Sequence, residues 1–75
     1  MDRATLVEKF EQAKIRVADC AQQADQQEKL IAVSRADGRS IKDAEELLRG
    51  LKLSHALNLA HRNRLKHLLA AADPE

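Results

Sequence analysis

His55, His61 and His67 recur every six residues, and imidazole is the commonest metal ligand. Six residues turn an α-helix by about 240°. The three rings would therefore point in different directions, whereas zinc ligands on one helix need a spacing of three or four. They are read as solvated or interhelical histidines, and neither a metal nor another cofactor is assigned. Cys20 is the only cysteine, so there is no internal disulfide. Set between Asp19 and Ala21, it reads as a small packing residue rather than a nucleophile. Folding can bring Asp19 close to His55, but the sequence offers neither a pocket-forming loop nor a nucleophile beside them. No catalytic residue is assigned, and a non-enzymatic chain is expected. Gly38 and Gly50 each stand alone, so neither belongs to a phosphate-cradling loop.

Nucleic-acid chemistry has a better candidate in LLRGLKLSHALNLAHRNRLK, Leu47 to Lys66. If Gly50 ended one helix and Ser54 capped the next, the 54–67 segment would be the second helix of a helix-turn-helix. Asn58, Arg62, Arg64 and Lys66 would then be its DNA contacts, since Arg, Lys and Asn suit phosphates and base edges. Three features count against this alternative. Lys52 stands in the turn where close crossing favours glycine, and a long first helix rich in Ala and Gln makes a poor compact core. Arg62 and Lys66 share a helix face that Arg64 does not.

The elements that must position these residues are legible from composition. The chain has 75 residues, room for one domain. Phe10 is the only aromatic residue, and the apolar content is mostly Ala and Leu, both strong helix formers. Two glycines and Pro74 are the only strong breakers, and β-branched residues are too scattered for strands. An all-α chain follows. Thirteen basic residues against twelve acidic ones argue for neither a nucleic-acid nor a membrane partner. The C-terminal half is nevertheless locally basic, with five Lys or Arg, three His and no acid from Leu47 to Ala72. No apolar run approaches the roughly 20 residues of a membrane span or a secretion signal, and a cytoplasmic protein is expected.

Leu6, Phe10, Ala13, Val17, Cys20, Ala24 and Ile31 alternate at spacings of four and three, broken only at Gln27. This heptad predicts one helix over about residues 3–36. RADGRS then breaks the chain at 37–40, with Gly38 in the left-handed conformation and Ser40 capping a second helix. That helix is predicted over about 41–72, bent at Gly50, with Ile41, Ala44, Leu47, Leu48, Leu51, Leu65, Leu69 and Ala72 on one face. The fold is thus two long antiparallel helices, a coiled-coil-like hairpin forming one unit over 1–75. Its expected core is Phe10, Val17, Ile31, Leu48, Leu51, Leu65 and Leu69.

Both stripes are polar in the middle. Folding the arms about Gly38 sets His55 beside Gln22, Asn58 beside Asp19, and Arg62 near Asp19 or Ile15. These five, Asp19, Gln22, His55, Asn58 and Arg62, form a predicted polar layer that fixes register. A second apolar strip, Leu53, Leu57 and Leu68 with Ala60 and Ala71, lies on a different face of the second arm. One partner helix cannot cover two faces. The expectation is a homodimer, two hairpins forming an antiparallel four-helix bundle, or the docking of another protein's helix.

The segment from Leu30 to Leu69 is similar to a pattern in small alphaproteobacterial helical-hairpin proteins. The shared positions are Asp37 and Gly38 at the turn, Ala44, the pair Leu47 and Leu48, and His61, Arg62, Arg64 and Leu65. Gly50 departs from the pattern, where a better helix former usually stands. The resemblance implies a bacterial helical hairpin and carries no activity with it. Function is accordingly expected to be that of an interaction or adaptor module.

Overall fold

The computed structural model describes residues 2–72, so Met1 and residues 73–75 at the ends of the expected unit lie outside the described residues. Two helices make up the fold: α1, Arg3–Ala36, and α2, Lys42–Ala72. No β-strand occurs among the described residues. Asp2 starts α1 as its N-cap, its Oδ1 accepting a 2.7 Å hydrogen bond from the Thr5 N–H. That bond satisfies one of the free donors at the helix start. It also holds the Asp2 carboxyl below its ordinary value of 3.8.

Gly38 ends α1, and its φ of 75° lies where a side chain is strained. Around it the Gly38 N–H donates to the Arg35 carbonyl at 3.1 Å and the Arg39 N–H to the Ser34 carbonyl at 2.9 Å. This pair of bonds defines a Schellman termination, closing α1 through its last carbonyls. The reversal is at the predicted glycine, but the start of α2 differs from expectation. The Ile41 carbonyl accepts the first helical bond, from Glu45 N–H at 2.8 Å, and α2 begins at Lys42. Ser40 does not cap it; instead Asp43 and Glu45 place negative charge in the first turn, where the helix dipole favours it.

The result is a rod of 58 × 15 × 14 Å. Its radius of gyration is 17.0 Å, whereas a compact domain of this length would have about 11 Å. A rod of two helices has little interior: Leu6, Ala13, Ile31 and Leu65 are its buried hydrophobic residues among those described. Leu6, Ala13 and Leu65 form one cluster, with Phe10 and Leu69 packed against it, at the end of the rod remote from the turn. Lys14 reaches back over the Phe10 ring, 5.1 Å from its centroid. Of the expected core, Ile31 and Leu65 are buried, while Phe10, Val17, Leu48, Leu51 and Leu69 are half-buried. Leu47 was placed on the main face by its spacing, but it is 55% exposed. It sits on the flank of the seam, where a single partner helix covers only one side of a leucine.

The inward positions of α1 run Leu6, Phe10, Ala13, Val17, Cys20, Ala24, Gln27, Ile31 and Ser34, each buried or half-buried. Gln27 therefore continues the heptad that its polarity had seemed to break. Its amide extends across to α2, donating to the Ala44 carbonyl at 3.1 Å.

Candidate functional site

Halfway along the rod the seam changes from apolar to polar. Cys20 of α1 sits against Ser54 and Asn58 of α2, its Sγ 3.7 Å from Ser54 Oγ and 3.6 Å from Asn58 Nδ2. Asn58 also donates to the Ser54 carbonyl one turn back, at 2.8 Å. All three side chains are half-buried.

The polar layer thus exists, but its membership differs from the one expected. Asn58 and His55 are half-buried, whereas Asp19 and Gln22 are exposed. Arg62 is half-buried, yet its guanidinium bonds Asn63 Oδ1 on its own helix, at 2.7 Å through one amino group and 3.3 Å through Nε. The physical reason is registry. Cys20, not Asp19, falls on the inward heptad row, and a shift of one residue turns a helix position by about 100°. Ser54, absent from the expected layer, lies half-buried beside the seam. The extension of the 4–3 spacing through Cys20 was the signal that could have placed it.

Two exposed ion pairs cross between the helices. Glu28 meets Lys52 at 3.7 Å and Arg35 meets Glu45 at 3.5 Å. All four residues flank the seam on the same side, the positions at which antiparallel coiled coils set partner and register. At this exposure such pairs contribute little to stability. Near them, Glu28, Ile31, Ala32, Arg35, Glu45 and Leu48 line a groove of about 240 Å³, below the roughly 300–1,000 Å³ of ordinary small-molecule sites.

The histidines do not converge: His55 is half-buried in the seam and His61 and His67 are exposed. Among the described residues no cluster of three His, Cys, Asp or Glu side chains could hold a metal ion. Nor is any helix among them long and apolar enough to cross a membrane.

The helix-turn-helix alternative required a turn across GLKL. The structure contradicts it, because α2 runs unbroken through Gly50, which has no positive φ. The 54–67 segment is the middle of one long helix. Asn58 and Arg62 belong to its half-buried side, and Arg64 and Lys66 are exposed. Packing of Leu48 and Leu51 on α1 outweighs the modest cost of a glycine in the helix.

What remains is the surface of α2. Leu53 and Leu57 are 62% and 63% exposed and Leu68 is 46% exposed. Together with the exposed Ala60 and Ala71 they form a strip about 180° from the face that meets α1. Of the exposed apolar residues of α1, Ile15, Leu30 and Val33 share its outer side, but the exposed Asp19, Gln22 and Gln26 separate Ile15 from the other two, and Val7 lies off that line. The strip on α2, apolar from Leu53 to Ala60 and again at Leu68 and Ala71, is the candidate site.

The fold and this strip define a two-helix hairpin with one unpartnered face. No family model matches the chain, and no curated protein or solved structure is significantly similar to it.

Proposed function

We propose that this hairpin is a non-enzymatic interaction module, acting by self-association or by receiving a helix of a partner protein through the outer face of α2. One observation carries this reading: Leu53, Leu57 and Leu68 form an exposed apolar strip directly behind a helix face already in use. Apolar area held in water at that density is stabilised by a second surface, at about 25 cal/mol per Å² covered. Total exposed area supports the same conclusion. The chain exposes 5677 Å², roughly 1,000 Å² more than a compact protein of its mass. A stable interface buries about 800 Å² on each partner.

The likeness of the Leu30–Leu69 pattern to bacterial hairpins belongs to the same proposal and adds no activity to it. So does a cytoplasmic setting, supported by one unpaired cysteine in so short a chain, since small extracellular domains are usually stapled by several disulfides.

Leu57→Asp tests the reading. In sedimentation equilibrium the substitution should abolish association, while the far-UV circular dichroism of the hairpin stays helical. Loss of helicity would make Leu57 part of the hairpin core and sink the assignment.

A further inference from the structure

Resting on the association reading above, we infer that the occupant of the α2 strip is a second copy of this chain, docked antiparallel, α2 against α2, about a two-fold axis at the level of His55. The argument lies in the order of residues along the strip. From Glu46 it runs Glu46, Gly50, Leu53, Leu57, Ala60, Arg64, at alternating spacings of four and three. All six are exposed, and at 100° per residue they fall within about 80° of one another. This is a second heptad seam on the outside of α2.

The seam is self-complementary when reversed. Leu53 and Leu57 each stand two residues from His55, Gly50 and Ala60 five, and Glu46 and Arg64 nine. Antiparallel docking of two copies about that level sets Leu53 on Leu57′, Gly50 on Ala60′ and Glu46 on Arg64′, with each contact made twice. An isologous interface has this property by definition. The next layer out matches as well, since Asp43 and His67 each stand twelve residues from His55.

Charge selects this arrangement over its rivals. Arg64 interrupts the apolar strip, and neither it nor Glu46 has an ion pair within the hairpin among the described residues. The proposed register gives each the other as partner at the rim of the interface. A parallel dimer would set Glu46 on Glu46′ and Arg64 on Arg64′. Sliding the antiparallel pair by one heptad would set Arg64 against Leu53′ in one direction and Glu46 against Leu57′ in the other, leaving a charge without a counterion.

Gly50 acquires a reason in the same step. A Cβ built there meets nothing within 4 Å inside the hairpin, so intramolecular packing does not demand glycine. Opposite Ala60′ it makes a layer of two small residues, which lets the helix axes approach closely beside the Leu53–Leu57′ layer. Leu68, beyond Arg64, comes opposite Lys42′, whose aliphatic stem can cover it. Because the strip lies behind the α1 face, the dimer sets four helices in a row, α1·α2·α2′·α1′, rather than in the square bundle expected from the sequence.

Charge reversal tests the register, read by sedimentation equilibrium at low salt. E46R and R64E should each raise the dimer dissociation constant about tenfold or more, because two rim ion pairs become two repulsions. The double variant E46R/R64E and a 1:1 mixture of the two single variants should both recover wild-type association, since every Arg then again faces a Glu. A dimer indifferent to the single reversals, or one that the mixture fails to restore, overturns this register while leaving self-association intact. A wild-type chain that stays monomeric at hundreds of micromolar overturns the homodimer itself. Should a single variant lose its helix, the mixture and the double variant decide.

Discussion

Substituting each of the two glycines by alanine should move stability in opposite directions. Gly38 has a φ of 75°, where an L side chain costs about 1–2 kcal/mol. The stiffening of the unfolded chain by alanine offsets part of this, about 0.5 kcal/mol. Gly38→Ala should therefore destabilise the hairpin by about 1 kcal/mol. Gly50 has helical backbone and open space where its Cβ would go, so alanine gains the helix-propensity difference of about 1 kcal/mol with no clash to subtract. The two variants should differ by about 2 kcal/mol. For a domain of this size 1 kcal/mol shifts the melting temperature by about 4–8 °C, which separates their midpoints by about 8–16 °C, one on either side of wild type. The assay is thermal circular dichroism at 222 nm over a dilution series, since association raises apparent stability with concentration. At the dilute end Gly50→Ala should show its full gain; where α2 meets α2′ the added methyls press on Ala60′ and the gain shrinks. If Gly50→Ala melts at or below wild type in the dilute limit, Gly50 is required by the hairpin itself and the reasoning fails.

Leu65→Ala removes the best-buried leucine of α2, 5% exposed against Leu6, Ala13, Phe10 and Leu69. Its cost should fall in the lower half of the 2–5 kcal/mol seen for core leucines, because a rod two helices thick can collapse around or hydrate the gap. Urea unfolding will measure it, and a value under about 0.5 kcal/mol would mean the cluster does not hold the open end together. Asp2 supplies a pH dependence. Its carboxyl is held below 3.8 by the Thr5 hydrogen bonds, so the cap is fully present above about pH 4 and is lost as pH falls through the lowered value. Amide exchange at Thr5 should accelerate in that acid window for wild type, and Asp2→Asn, which cannot titrate, should remove the pH step.

The hairpin was legible because its two signals are local. Gly38 sits in RADGRS, where nothing else competes for the turn, and the 4–3 spacing from Leu6 to Ile31 needs only one continuous helix to be read. The polar layer halfway along the rod was less legible, because its membership follows spacing rather than polarity. Asp19 and Gln22 look like natural partners for His55, but Cys20 occupies the heptad row, and the row decides which side chain faces α2. Gln27 teaches the same lesson, since a polar residue on the row points inward and finds the Ala44 carbonyl. Leu47 shows the converse: an apolar residue one step off the row remains in water when only one helix faces it. The outer strip was visible as apolar residues on a second face. Its place on the side away from the first face depends on α2 continuing through Gly50, a balance of about 1 kcal/mol of propensity against packing from Leu48 and Leu51 that no local pattern settles.

The best-packed cluster lies where the chain can reach it last. Leu6 and Leu65 join segments nearly sixty residues apart in sequence, while nearer the turn Ile31 is buried among half-buried side chains and exposed ion pairs. A hairpin of this kind zips outward from Gly38, and closure of each successive turn is cheap once the previous one is formed. The clasp at the open end then closes after the rate-limiting step, so loosening it should hasten unfolding and leave the folding rate almost unchanged. The lifetime of the folded rod is set at its termini, and its rate of formation at its turn.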